Sequence, residues 1–279
     1  TLCLIPLLAL PQSSAASVID DLRAKAEAGD AQAACDLGIA YAEGNDVPED
    51  RHEAFKWFLK SAEQGVAKAQ FRLASAYAYG SGVPKSTDEA VKWYRRSAEQ
   101  GNPSIQCVVA LYFQNGLNVP INLPEAVKWY QRAAAQSYAP AQSSLGFMYD
   151  KGQGVPKDSV EAMKWFHRAA EQGDAISQFQ IGFRYVTGEG APKDSAEGYR
   201  WVRSAAMQGH AGAQGLLSVL YLEGKGVPKD EIEALAWMYV GTASGEKLAI
   251  EQSAVLEEYL GRQASLVAQR RSTELFREI

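Results

Sequence analysis

Apolar residues recur along the chain with the spacing of helix faces. Pairs of large apolar residues lie four positions apart, and residues at i and i+4 share one face of an α-helix. Small or polar residues separate the pairs, so each stretch predicts an amphipathic helix with one buried face. The pairs are Leu37/Tyr41, Leu73/Tyr77, Val109/Phe113, Leu145/Tyr149, Ile181/Tyr185 and Leu217/Tyr221.

Successive pairs are separated by 36 residues, and other residue types follow the same step. All six tryptophans lie on it, together with one series of prolines and one series of glycines; these series start at Trp57, Pro48 and Gly44. A fixed period of this length is typical of solenoids, in which each unit buries its apolar face only against its neighbours. The sequence therefore predicts an array of repeats.

Each unit is predicted to form two helices. The first ends at the Gly44-type glycine, because glycine takes the left-handed conformation that ends a helix, and the following proline prevents continuation. The second opens with Asp, Ser or Asn at one position and has Glu three residues later in all six units, as in Asp50 and Glu53. This pattern predicts a capping box, in which each of the two side chains accepts a hydrogen bond from the other residue's backbone N–H. The tryptophan at the centre of this helix is expected in the core.

The repeated unit resembles the Sel1-like repeat, a relative of the tetratricopeptide repeat, over about residues 18–245. The resemblance implies an all-α, right-handed α-solenoid of helix-turn-helix repeats. The expected segments are a clipped signal peptide (1–16), an N-terminal half-repeat (17–28), six repeats of 36 residues (29–245) and C-terminal capping helices with a polar outer face (246–279). The fifth unit carries the motif as Ile181-Gly182, Tyr185, Gly188, Gly190, Pro192, Asp194, Trp201, Ala205-Ala206 and Gly209.

The N-terminal residues predict export. Residues 1–16 carry no charge, and the apolar run from Leu2 to Leu10 has the length of a signal-peptide core and is too short to span a bilayer. Ser14, Ala15 and Ala16 supply the small residues that signal cleavage requires. We expect a periplasmic or secreted protein whose mature chain has no stable membrane insertion. The alternative is that the run is a buried part of the fold.

Composition narrows the range of partners. Hydrophobic residues make up 47% and charged residues 22% of the 279 positions, as in ordinary folded proteins. The formal net charge is −5, and basic residues are spread along the chain. A protein that binds a nucleic-acid backbone needs a basic face, so no nucleic-acid partner is expected.

The residue pattern does not predict a catalytic site, a cofactor or a metal. His52, His167 and His210 lie in distant units, and none stands near a cysteine at metal-ligand spacing. Cys35 and Cys107 occupy the same register two repeats apart, which places them too far apart for a disulfide. Some exported Sel1-like proteins have been linked to β-lactam binding and slow hydrolysis, but they carry a cysteine pair in each unit, which this chain lacks.

Candidate binding residues come from the positions of the first helices that vary between units. By analogy with tetratricopeptide solenoids, these helices line the inner surface, so varying positions are expected to face a groove. We expect these side chains to bind another protein or a peptide; the alternative is that they fill gaps between neighbouring helices. The candidates are Phe71, Tyr79, Leu111, Phe147, Phe179, Phe183 and Val219.

The expected function is a protein-interaction scaffold or regulator in the cell envelope. The resemblance supports this expectation, because exported relatives act in envelope signalling, polysaccharide export and host contact. The alternative is a cell-wall-directed hydrolase or penicillin-binding protein of the same repeat class.

Overall fold

A computed structural model describes residues 15–243 and 247–279, with side chains over 18–241 and 253–279. Every regular element in these residues is an α-helix, which confirms the all-α class. The chain divides into an N-terminal unit, Thr1–Asn122, and a C-terminal unit, Leu123–Ile279. The N-terminal unit contains α1 (Ala15–Glu27), α2 (Ala31–Glu43), α3 (Arg51–Glu63), α4 (Ala67–Tyr79), α5 (Thr87–Glu99) and α6 (Pro103–Asn115). The C-terminal unit contains α7 (Leu123–Ala134), α8 (Ala139–Lys151), α9 (Ser159–Glu171), α10 (Ala175–Thr187), α11 (Ser195–Ala206), α12 (Ala211–Glu223), α13 (Glu231–Ala243), α14 (Lys247–Leu260) and α15 (Arg262–Glu278).

Helices adjacent in sequence pack against each other in pairs. The pairs are α2 with α3 and α4 with α5 in the N-terminal unit, and α8 with α9, α10 with α11 and α12 with α13 in the C-terminal unit. The apolar positions predicted from the i, i+4 spacing provide the first-helix side of the core. The first member of each predicted pair is fully buried: Leu37, Leu73, Val109, Leu145, Ile181 and Leu217.

The turn inside a repeat uses glycine for two different reasons, although Asp46 and Asn118 replace the second glycine in two of the repeats. The glycine that ends the first helix, such as Gly80, has φ 72°, in the left-handed region. The second turn glycine lies against the preceding repeat. A Cβ atom at Gly82 would lie 2.0 Å from the backbone oxygen of Arg51, and one at Gly226 would lie 1.9 Å from that of Ser195. A side chain at either position would therefore collide with backbone.

The second helices begin at the predicted capping residues, but the capping box is incomplete. Asp50 accepts hydrogen bonds from the backbone N–H groups of His52 and Glu53, both at 3.0 Å. The backbone N–H of Asp50 donates to the carbonyl of Tyr41 at 2.9 Å, so Glu53 does not receive it. The prediction of a reciprocal box was wrong, because the preceding helix supplies a better-placed acceptor. The same bond from the capping N–H to the first helix recurs at Ser86, Asn122, Asp158, Asp194 and Asp230.

The tryptophans contribute less to the core than expected. Trp93, Trp129 and Trp237 are buried, whereas Trp57, Trp165 and Trp201 are half-buried. The half-buried rings extend toward the surface, where Arg168 stacks 4.5 Å from the centre of the Trp165 ring. The residue after each tryptophan is at most 5% exposed, so this neighbouring register is the more consistent part of the core: Phe58, Tyr94, Tyr130, Phe166, Val202 and Met238.

In five of the six repeats, a buried glutamine joins the repeat to the one before it. The side-chain amide of Gln178 donates to the carbonyl of Ala170, near the end of α9, at 3.2 Å. The side-chain oxygen of Gln178 accepts a hydrogen bond from Gln208, near the end of α11, at 2.7 Å. The carbonyl of Ala170 also accepts a hydrogen bond from the backbone N–H of Gly173 at 2.9 Å, so the glutamine adds a second hydrogen bond at the helix terminus. The bond to the preceding helix recurs at Gln70, Gln106, Gln142 and Gln214.

The ends of the array carry different helices. Helix α1 packs on α2, and residues 1–14, which include most of the predicted signal segment, lie outside the described residues. At the other end α15 packs on α13, and Arg271 pairs with Glu233 at 3.1 Å. The expected polar outer face is mixed instead, because Val255 and Tyr259 are 70% and 76% exposed. No helix of the described residues is both long and apolar enough to cross a membrane.

Candidate functional site

The candidate residues of the N-terminal unit lie on α4 and α6 and have different surroundings. Phe71 is half-buried, and its ring centre lies 5.3 Å from that of Tyr94 and 6.2 Å from that of Tyr112. Tyr79 and Leu111 are 57% and 42% exposed. Phe71 therefore packs in an aromatic cluster, as the gap-filling alternative proposed, while Tyr79 and Leu111 present surface.

Hydroxyl groups run through this aromatic cluster. Ser75 lies 3.1 Å from the hydroxyl of Tyr94 and also donates to the carbonyl of Phe71. Burial raises the pKa of Tyr94 and of Tyr112 above the ordinary value, so both phenols are neutral at physiological pH. The cluster therefore consists of polar and aromatic groups and carries no charge.

Phe147, the first candidate of the C-terminal unit, is also part of the packing. It lies on α8, half-buried, with its ring edge-on to Phe166 at 5.0 Å. The ammonium of Lys151 stands 5.8 Å from the centre of the same ring. Phe147 therefore fills the space between α8 and α9 and offers little apolar surface.

The remaining candidates come together on α10 and α12. Phe179 and Phe183 lie on α10 with ring centres 6.1 Å apart, and Phe179 stacks on His210 at 4.7 Å. Phe183 and Val219 are each 36% exposed. Ile176, which the variation between repeats did not single out, is 47% exposed and lies on the same face of α10, three residues before Phe179. We refer to Ile176, Phe179, Phe183 and Val219 as the α10–α12 face.

The α10–α12 face carries almost no charge. The only charged residues in the two helices are Arg184 and Glu223. Arg184 is 4% exposed and pairs with Asp150 at 2.6 Å. Glu223 lies at the end of α12 and pairs with Lys225 at 2.6 Å. The exposed part of this face is therefore apolar and uncharged.

The three histidines take part in local packing and hydrogen bonding. The side chain of His210 caps α12 by accepting a hydrogen bond from the backbone N–H of Ala213 at 3.1 Å. His167 lies edge-on to Trp201 at 5.9 Å, and His52 contacts the carbonyl of Gly82 at 3.1 Å. Burial lowers the pKa of His167 and His210, which favours their neutral forms.

The surroundings of the two described cysteines disfavour nucleophilic chemistry. Cys35 and Cys107 are free thiols. Burial raises the pKa of both, to about 11 for Cys107, so neither forms the thiolate that a nucleophile needs. Over the described residues, no group of three or more His, Cys, Asp or Glu side chains is placed to hold a metal ion.

Successive helical hairpins that bury their apolar faces against each other define an α-solenoid repeat protein. The sequence profile of the Sel1 repeat matches residues 31–66, 67–102, 105–138, 139–174, 175–210 and 211–241. The chain therefore belongs to the Sel1 repeat family, with six repeats, as the sequence resemblance predicted. Proteins of this family are generally protein-interaction scaffolds.

Two solved structures are similar over most of the chain. A protective antigen of uropathogenic Escherichia coli strains, which displays the same fold, is 34% identical with a TM-score of 0.80 over 92% of this chain. The chain spans 56% of the length of that protein. A Sel1 repeat protein from Oxalobacter formigenes is 31% identical with a TM-score of 0.63, and the match covers 81% of this chain and 99% of that one. A search among curated protein sequences finds no significant match.

Proposed function

We propose that this protein is an interaction scaffold or regulator of the cell envelope, which binds an apolar segment of another protein on its α10–α12 face. The observation that carries the proposal is the exposure of Ile176, Phe183 and Val219 on two neighbouring helices without exposed charge between them. Covering such side chains contributes roughly 1 kcal/mol each, since they are already partly buried. A partner with a matching apolar helix or strand would gain this contribution.

Envelope localisation is part of the same proposal. It is supported by the uncharged N-terminal residues, where the apolar run from Leu2 to Leu10 is followed by small residues. Mass spectrometry of the protein purified from cell fractions tests it. We expect a mature chain that begins near Ala16 and is recovered from the periplasm or the medium. Recovery of the uncleaved chain from the cytoplasm would contradict this part.

The binding proposal is tested by crosslinking in cells. A photo-crosslinking amino acid placed at Ile176 is expected to give a discrete adduct with a partner protein. The same amino acid at Val160 is the matched control, because Val160 is 63% exposed on α9 of the same unit. The double variant Phe183→Ser and Val219→Ser is expected to abolish the adduct at Ile176 while the melting temperature changes little. Equal adducts from positions 176 and 160 would refute the proposal.

The proposed scaffold acts by binding alone. A fluorescent penicillin offers a direct check, because it labels a penicillin-binding enzyme covalently through an acyl bond. We expect no covalent label on the purified protein. Stable labelling would favour the hydrolase or penicillin-binding alternative.

A further inference from the structure

The N-terminal unit contains a surface cavity, half open to solvent, that is formed by other residues than the α10–α12 face. Its volume is about 370 Å³, and it lies between α2, α3 and α4. This volume is in the range of sites for small ligands. Five lining residues have apolar side chains and five have polar ones. The apolar residues are Ala42, Ala54, Phe55, Phe58 and Ala76, and the polar residues are Arg51, Arg72, Ser75, Tyr79 and Ser81.

The cavity exists because this part of the array has small side chains where other repeats have large ones. Three repeats later, the positions of Ala42 and Ala76 are occupied by Asp150 and Arg184. That pair is joined by an ion pair at 2.6 Å, and Arg184 is buried. The position of Ser75 is occupied by leucine, phenylalanine or valine in the four repeats that follow it. The repeat scaffold therefore accepts larger residues here, so packing does not require the small ones.

The polar residues of the cavity are also specific to this place. The position of Arg72 is Asp, Val, Ser, Gln or Leu in the other repeats, and that of Arg51 is Thr, Leu, Ser or Glu. Arg51 donates to Glu49 at 2.7 Å, and Arg72 pairs with Glu43 at 3.4 Å. All four side chains of these pairs are at least 42% exposed, so the pairs are weak and leave most guanidinium N–H groups available.

We propose that this cavity binds the C-terminal residue of a partner polypeptide, with an apolar side chain and a free carboxylate. The side chain would lie against Phe55 and Phe58. The carboxylate would accept hydrogen bonds from Arg51 and Arg72, since guanidinium groups match carboxylate geometry. An internal acidic residue fits less well, because it offers nothing to cover the apolar half. The inference rests on the proposed function as an interaction scaffold and adds the chemistry of the partner.

A minimal ligand tests the cavity without the partner itself. N-acetyl-L-leucine carries both expected features, and N-acetyl-L-leucinamide lacks only the charge. Titration of the ¹⁵N-labelled full chain, followed by NMR, is expected to show saturable shifts of the Arg51 and Arg72 side-chain N–H signals with the acid. The amide is expected to bind at least about tenfold more weakly, because it lacks charge-assisted hydrogen bonds. Equal affinity for acid and amide would overturn the proposal.

Variants of the cavity test separately the contribution of the arginine charges and the need for unfilled volume. The double variant Arg51→Gln and Arg72→Gln is expected to bind N-acetyl-L-leucine at least about tenfold more weakly. Ala76→Leu should also abolish binding, and it should fold, because Leu220 is fully buried at the same repeat position. Lys68→Gln is the matched control on α4, and it should leave the affinity unchanged. Unchanged affinity in both the arginine and the Ala76→Leu variants would place the ligand elsewhere and refute the assignment.

The source of the carboxylate is distinguished by a third probe. N-acetyl-L-glutamic acid α-amide presents a side-chain carboxylate and no terminal one. Preferential binding of this probe over N-acetyl-L-leucine would refute the C-terminal assignment in favour of an internal acidic residue. Since none of these titrations involves the α10–α12 face, their failure is distinct from failure of the crosslinking experiment at Ile176.

Discussion

The glutamine between repeats provides a sharp test of how the array is stabilised. Gln178 is 6% exposed, donates to the carbonyl of Ala170 and accepts from Gln208. Gln214 makes the equivalent donation to Ala206 at 3.3 Å, but its side-chain oxygen has no partner among the described residues. Replacement of the two glutamines by alanine therefore removes two hydrogen bonds in one case and one in the other.

The magnitude follows from these bonds. A net contribution of about 1 kcal/mol per hydrogen bond gives roughly 2 kcal/mol for Gln178→Ala, because the carbonyl of Ala170 keeps its hydrogen bond from the N–H of Gly173. The amide of Gln208 is exposed and regains water, so its loss adds no further cost. Gln214→Ala is expected to cost about 1 kcal/mol less. The gain in helix propensity from alanine is the same in both variants and cancels.

Urea unfolding followed by circular dichroism measures the free energies, and hydrogen exchange of α9 and α10 shows whether the loss is local. A double-mutant cycle of Gln178→Ala with Gln208→Ala should return a coupling energy of about 0.5–1 kcal/mol. Equal losses in Gln178→Ala and Gln214→Ala, with no coupling in the cycle, would show that the second hydrogen bond does not stabilise the array.

Three further predictions concern individual positions. Gly226→Ala should cost several times more than Gly173→Ala in thermal unfolding, because a Cβ at Gly226 meets backbone at 1.9 Å while one at Gly173 meets no atom within 4 Å; similar losses would exclude the collision. Asp150→Ala should cost about 2–3 kcal/mol, because the buried Arg184 loses its carboxylate partner and keeps only its hydrogen bonds to Gln180, whereas Arg184→Leu should be nearly neutral, and urea unfolding would contradict this if the order were reversed. The pKa of His210 is lowered in the fold, so its neutral cap stabilises above the unfolded pKa near 6.5, and stability should fall as the pH drops below that value. His210→Asn, which caps without titrating, should reduce this dependence, and an unchanged pH profile would assign it to other groups.

The fold was predictable because the sequence carries the same residue pattern in six successive repeats. The period, the turn glycines and the capping residues all follow from local chemistry that acts within one hairpin. The buried glutamines were also within reach, because a polar residue that recurs at Gln70 and its equivalents in a core helix indicates a buried hydrogen bond. The register after tryptophan was missed because the tryptophan and the residue that follows it are both aromatic in four of the six repeats, and the spacing does not distinguish them.

The candidate site was predicted only in part. Varying positions pointed to the first helices, but variation does not separate Phe147, which packs edge-on against Phe166, from Phe183, which faces outward. That distinction depends on the rotation of each helix against its neighbour. The cavity beside Arg72 was not predictable at all from the residues present, because it results from small side chains that leave space unfilled.

The hydrogen bond from each capping N–H to the first helix of its own repeat has an evolutionary consequence. Because it closes within one hairpin, as from Asp194 to Tyr185 at 2.9 Å, an inserted or deleted block of 36 residues leaves every such closure intact. After such a change, the glutamine of the next repeat donates its hydrogen bond to the helix that now precedes it. Gene duplication can therefore lengthen or shorten the protein in whole steps without inventing a new junction, and a ligand site can diverge in one copy while the others preserve the framework.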